Sequence, residues 1–205
     1  MKKDLFIIPG SVNPKIANHN LSQPIIKSIR RLLKVTLEIK FKYDLLMKNV
    51  SSQYNKIHFI DYKRELFGSL SKSNVKMIIG EISKIKNDYD VVCFSAGGHL
   101  FQEALKKENI KKPKKVILMC SLNTDKNMMF PDKTKVFNIY SKKDFLIKYS
   151  IFLLSFGKGN QHLKNADNII IDNMYHSEIE SDKKIDSGIY KGLTGFELVE
   201  KLLSV

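Results

Sequence analysis

The sequence predicts an α/β fold, a three-layer α/β/α sandwich around a mostly parallel sheet. Three observations point there. Short β-branched runs alternate along the chain with stripes of apolar residues at helical spacing. The later runs, such as Val91-Val92-Cys93-Phe94 and Ile169-Ile170-Ile171, are apolar throughout rather than alternating with polar residues, as in strands covered on both faces. The length, 205 residues with 43% hydrophobic, suits one core of good size and is short for two, so residues 1–205 are read as a single domain.

The elements follow in order. Leu5-Phe6-Ile7-Ile8 is a buried strand stopped by Pro9-Gly10. Ser22 and Pro24 open a helix whose inner face is Ile25, Ile26, Ile29, Leu32 and Leu33. Val35, Leu37, Ile39 and Phe41 then alternate with polar residues, as in a strand, although continuation of the helix fits the same stretch. Ile57 to Asp61 is a further strand. Val75, Ile78, Ile79, Ile82 and Ile85 form a helical stripe that Gly80 interrupts only slightly. The strand Val91–Phe94 runs into Ser95 and then a helix with Leu100, Phe101, Ala104 and Leu105 inward. Strands at Val116–Met119, Val136–Tyr140 and Ile169–Ile171 follow. A last helix opens at Thr194-Gly195-Phe196-Glu197, which has the spacing of a capping box.

Charge and cysteine content narrow the function classes. The formal net charge is +14, but arginine stands only at Arg30, Arg31 and Arg64, and the lysines are spread over the whole chain. Distributed lysine makes a solvated surface, and no aromatic-interleaved RNA-binding motif accompanies it, so no specific nucleic acid is expected. Cys93 and Cys120 are the only cysteines; both are read as buried thiols in strands, with no metal or redox spacing. The histidines form no zinc pattern, so neither metal nor cofactor is expected. The N-terminal apolar run is too short for a signal peptide, and no stretch reaches a membrane span; Phe145 to Phe156, the most apolar window, is broken by Lys148. The expected compartment is the cytoplasm.

The chemistry lies in Asp90-Val91-Val92-Cys93-Phe94-Ser95-Ala96-Gly97-Gly98-His99-Leu100. A strand delivers a serine between small residues and a helix follows at once. That is the pattern of a nucleophile elbow, where the turn is too tight for large neighbours and Oγ stands exposed at its tip. A serine hydroxyl needs a base, and the base needs an acid to fix its tautomer. Asp144 and His176 each follow a predicted strand, and reactive groups gather at strand carboxyl ends in such sheets. Asp125 is a rival acid. His162 is the runner-up base, His99 on the elbow helix is more often structural, and His19 in the first loop could touch substrate. Ser95 could equally cap the helix after it, and Asp144 the helix starting at Phe145.

The order Ser95, Asp144, His176, with Phe94-Ser95-Ala96-Gly97-Gly98-His99-Leu100, resembles the α/β-hydrolase superfamily, and its small, cap-poor esterases in particular. The likeness covers most of the chain. It implies an α/β-hydrolase-like fold and a serine hydrolase that cleaves an ester or thioester through an acyl-enzyme. Backbone N–H groups of Ala96 and of Ser11 (or Val12) would form the oxyanion hole. Tyr140-Ser141-Lys142-Lys143-Asp144 resembles the acid-bearing turn and Tyr175-His176-Ser177 the histidine loop. The chain departs from the family in having Cys93 where the elbow usually has glycine, and a plain Pro9-Gly10-Ser11 loop. The short link between the strands at Val116 and Val136 leaves no room for a large cap. Lids would then come from Val12–Leu21 or Phe145–Lys164, and Phe145, Leu146, Ile151, Phe152, Leu153 and Leu154 would pack in the core or line an acyl pocket. The expected substrate is a small-molecule or carrier-bound acyl ester. Three other readings stay open: a catalytically degenerate hydrolase fold used for binding, a sugar-nucleotide-dependent glycosyltransferase suggested by Gly97-Gly98-His99, and a nucleic-acid-binding module resting on charge alone.

Overall fold

A computed structural model describes residues 2–10, 42–62, 71–107, 110–123, 130–144, 147–148 and 161–205. Among these residues six strands form one sheet: β1 (Asp4–Ile8), β2 (Lys56–Phe59), β3 (Tyr89–Phe94), β4 (Lys115–Met119), β5 (Lys135–Ser141) and β6 (Asp167–Ile171). Their order is β2-β1-β3-β4-β5-β6, and every pair is parallel. The described helices are α1 (residues 42–50), α2 (Lys72–Ser83), α3 (Ala96–Leu105), α4 (His176–Ile179) and α5 (Gly195–Ser204).

The three layers follow from side-chain alternation along the strands. Leu5, Ile7, Val92, Phe94, Ile117, Met119 and Ile139 point to one face, where they meet Tyr43, Leu46 and Val50 of α1 and Phe196, Val199 and Leu202 of α5. Phe6, Ile8, Val91, Cys93, Val116 and Leu118 point to the other, against Ile78 and Ile82 of α2 and Leu100, Phe101 and Ala104 of α3. β1, β3 and β4 are buried along their whole length, which is why they are written as unbroken apolar runs. The first face is keyed by three aromatic rings. Tyr43 stands edge-on to Phe94 and Phe196 at 4.8 and 5.4 Å, and Phe94 stacks on Phe196 at 5.4 Å.

The last helix begins where the spacing placed it. Thr194 caps α5: its Oγ1 accepts from Glu197 N at 3.2 Å, and Glu197 Oε2 accepts from Thr194 N at 2.7 Å. Ser71 caps α2. The predicted helix over Ile25–Leu33 and the ambiguous stretch Val35–Phe41 lie outside the described residues; the chain that follows, 42–50, is helical. Cys120 does not lie in a strand as expected. β4 ends at Met119, and Cys120 sits one residue past it with φ +44°.

The strand order places the site. From β1 the chain steps out to β2, then returns past β1 to β3 and continues outward the other way. Connections therefore diverge between β1 and β3, and in sheets of this kind the carboxyl ends at such a switch point are where ligands bind. The register puts Ile8 beside Cys93 and Phe94 beside Met119. Ser95 leaves the sheet at that switch point.

Candidate active site

Ser95 links β3 to α3 with φ +46° and ψ −120°, a conformation that L-residues avoid and that costs on the order of 1–3 kcal/mol. Three backbone hydrogen bonds hold it there. Ser95 N donates to Met119 O at 3.0 Å, and Ser95 O accepts from Gly98 N and Leu122 N, both at 3.1 Å. The side chain makes no capping bond to α3, so the hydroxyl is not a helix cap.

The small residues around it have steric reasons. A Cβ on Gly97 would lie 2.5 Å from Ile8 O and 2.6 Å from Pro9 O, so the first turn of α3 packs directly on the backbone after β1. A Cβ on Gly98 would lie 2.2 Å from Ser121 Oγ, in the loop after β4. Gly10 is equally close to the elbow: the place of its missing Cβ is 3.1 Å from Ser95 Cβ. Cys93 is different. Its side chain is buried among the α2 and α3 core residues, where a thiol has room, so the departure from glycine there meets no steric obstacle.

The candidate acid and base meet. His176 Nδ1 lies 2.8 Å from Asp144 Oδ2. Asp144 is fully buried, while the His176 side chain keeps 20% of its surface. The other carboxylate oxygen, Oδ1, accepts from Ile147 N at 3.0 Å, so Asp144 both caps the next turn and holds the histidine. Ser141 fastens this corner to the histidine loop. Its Oγ donates to Met174 O and accepts from Lys143 N at 3.1 Å. Tyr175 N, just before His176, donates to Glu178 Oε2 at 2.8 Å. Burial pulls the His176 pKa down, but the hydrogen bond and charge of Asp144, with a smaller contribution from Glu180, outweigh it and leave the imidazole above its ordinary value.

No hydrogen bond joins Ser95 Oγ to His176 among the described residues; the joined pair is His176 and Asp144. Ala96 opens α3, so its N–H belongs to the unpaired donors of a helix N-terminus, where partial positive charge collects. Ser11, Val12, His19 and Asp125 lie outside the described residues, as do both lid stretches in large part and the apolar residues Phe145, Leu146 and Ile151 to Leu154. His162 pairs with Tyr140 Oη at 3.3 Å. His99 is mostly buried on α3, and burial lowers its pKa.

One residue that sequence reasoning missed belongs here. The Cys120 thiol, the Asp144 carboxylate and a ring nitrogen of His176 have ligand atoms within 4.8 Å of one another. Burial first, and the neighbouring Asp144 second, push the Cys120 thiol well above its ordinary range, so it is a neutral thiol and no rival nucleophile. The signal was available: Cys120 stands at a strand carboxyl end, as Ser95 does.

The protein is α/β in fold. That rests on the parallel strand order and the helices packed on both faces of the sheet. No protein-family model matches the sequence, and no curated protein matches it. Among solved structures, the chain is similar to a protein from Pectobacterium atrosepticum SCRI1043 that bears the provisional description of a YdeN-like hydrolase. The identity is 12% over 99% of this chain and 89% of that one, with a TM-score of 0.47. It is also similar to an uncharacterized protein from Bacillus cereus ATCC 10987, at 12% identity over 100% of this chain and 60% of that one, with a TM-score of 0.45. At such identities and scores neither likeness bears on activity. No described helix is long and apolar enough to cross a membrane.

Proposed function

We propose that this protein is a serine hydrolase that cleaves a carboxylic ester or thioester through an acyl-enzyme intermediate. The observation that carries the reading is the Asp144–His176 hydrogen bond. With the Nδ1 proton held by Asp144, the lone pair of His176 is on Nε2, the tautomer a general base requires. Ser95 supplies the nucleophile. Its Oγ attacks the acyl carbonyl while its proton passes to Nε2, and the oxyanion is met by the Ala96 N–H and a second N–H at Ser11. The tetrahedral intermediate collapses, and the alcohol or thiol leaves with the proton from His176. Water then attacks the acyl-Ser95 ester, giving a proton to His176, which returns it to Ser95 Oγ as the carboxylic acid departs. Asp144 stays ionised throughout and steadies the imidazolium. A small-molecule or carrier-bound acyl group is the substrate class.

The missing Ser95–His176 hydrogen bond favours a second reading, a binding protein on a degenerate hydrolase scaffold. The two readings separate in one assay. With a p-nitrophenyl ester in excess, the hydrolase reading predicts a burst of p-nitrophenolate of about one equivalent, absent in Ser95→Ala. A catalytic contact that tightens only with substrate bound accounts for the gap. No burst and no turnover across a range of acyl lengths, from folded protein, favours the binding reading.

A further inference from the structure

The cluster of Cys120, Asp144 and His176 has a second chemical meaning. These three side chains come from the carboxyl ends of β4, β5 and β6, far apart in the sequence, and no local spacing announces them. Their ligand atoms lie within 4.8 Å of one another. Around a tetrahedral zinc ion, bond lengths of about 2.0–2.3 Å place thiolate, imidazole and carboxylate ligands about 3.3–3.7 Å apart. The set therefore needs only small adjustments to close on an ion. Thiolate with imidazole selects soft or borderline cations such as Zn²⁺ over Mg²⁺ and Ca²⁺. Cys120 and Asp144 are sealed in the interior, while the partly exposed His176 ring forms the way in.

We propose that Cys120, Asp144 and His176 form an inhibitory site for a soft divalent cation of the Zn²⁺ class. Its regulatory half rests on the hydrolase reading; the binding half does not. The nitrogen facing Asp144 is Nδ1. An ion bound there takes the Nδ1 lone pair, so the single proton of the neutral ring resides on Nε2. That is the wrong tautomer to accept a proton from Ser95. The Cys120 thiol gives its proton to solvent as the Zn–S bond forms, and the carboxylate of Asp144 turns from its hydrogen bond with the imidazole to the metal. One ion thus disables the base without touching Ser95.

The test uses the full chain, stripped with a chelator and titrated with Zn²⁺ against a chromogenic chelator. Expected are one ion per chain, release of about one proton per ion near neutral pH, and a thiolate-to-metal charge-transfer band when Co²⁺ replaces Zn²⁺. Ser95→Ala should bind as well as wild type, and Cys120→Ser at least about tenfold more weakly, without the band. If Cys120→Ser does not fold, His176→Asn serves as the ligand-loss variant. Fluorophosphonate labelling of Ser95 should stop at saturating Zn²⁺ and return on chelation. Absence of one-to-one binding, or of the Co²⁺ band, overturns the site. Full-rate labelling in the presence of bound zinc overturns the switch. Failure of the zinc-free protein to label counts against the hydrolase reading instead, and leaves the binding result standing.

Discussion

The two ends of the sheet carry buried polar groups, and they treat them differently. At the amino ends, every buried charge among the described residues is matched. Asp90, 2% exposed, accepts from Tyr54 Oη at 3.1 Å and pairs with Lys3. Asp4 accepts from Asn55 at 3.1 Å and Asn87 at 3.4 Å and pairs with His58; burial raises its pKa, but these partners win and hold it low. Lys115 donates to Leu202 O and Leu203 O, both at 2.9 Å, at the carbonyl-rich end of α5. At the carboxyl ends, the backbone is forced at Ser95 and Cys120, the Ser95 hydroxyl caps nothing, and Ser121 Oγ is buried without a partner. One end spends its polar groups on stability. The other keeps strain and unsatisfied groups, as sites that act on a ligand do.

That contrast can be broken from either side. The largest effect is expected at Ser95. Ser95→Ala should cut ester turnover about 10⁴-fold or more and leave the melting temperature nearly unchanged, as measured by burst kinetics and thermal unfolding. Next comes Asp144→Asn, expected to lower the rate about 10³- to 10⁴-fold by freeing the wrong histidine tautomer. The same variant moves the pH dependence. If His176 is the general base proposed above, its neutral form is the active one, and kcat/KM should rise with pH through a midpoint above the ordinary histidine value of about 6.5. Stability runs the opposite way. A histidine whose pKa is raised in the fold contributes stability in full below about 6.5, and that contribution is lost as pH rises through the higher folded value. Removing the Asp144 charge should lower the midpoint; an unchanged midpoint would assign the acid role elsewhere.

Two smaller effects sharpen the comparison. Gly97→Ala pushes a methyl against two backbone carbonyls and should cost about 2–3 kcal/mol in urea unfolding while impairing the elbow. Lys115→Met, at the other end, should cost about 1–2 kcal/mol through two lost hydrogen bonds, with ester turnover unaltered. If Lys115→Met also slowed turnover, the separation of the two ends would be wrong.

Much of this was legible in the sequence because burial on both faces writes strands as unbroken apolar runs. β3 and β4 were readable for that reason, and with them the emergence of Ser95. The capping box at Thr194 was readable because its two hydrogen bonds need particular residues three apart. Asp144 and His176 were readable as residues just past strands, though their meeting depends on β5 and β6 lying side by side, which no local pattern encodes. Cys120 was missed because an apolar run conceals its own last residue: the step from Met119 in the sheet to Cys120 at positive φ has no side-chain signature. The buried amides Gln102, Asn123 and Asn138, joined by hydrogen bonds of 2.6 and 3.5 Å, were missed too, since three distant polar residues look like surface until the fold stacks them.

The central claim is that Ser95 is an activated nucleophile, and intact mass after incubation with a fluorophosphonate tests it most directly. The account predicts one adduct per chain on wild type and none on Ser95→Ala. An unmodified mass for folded, metal-free wild type, or an adduct that survives in Ser95→Ala, would contradict it.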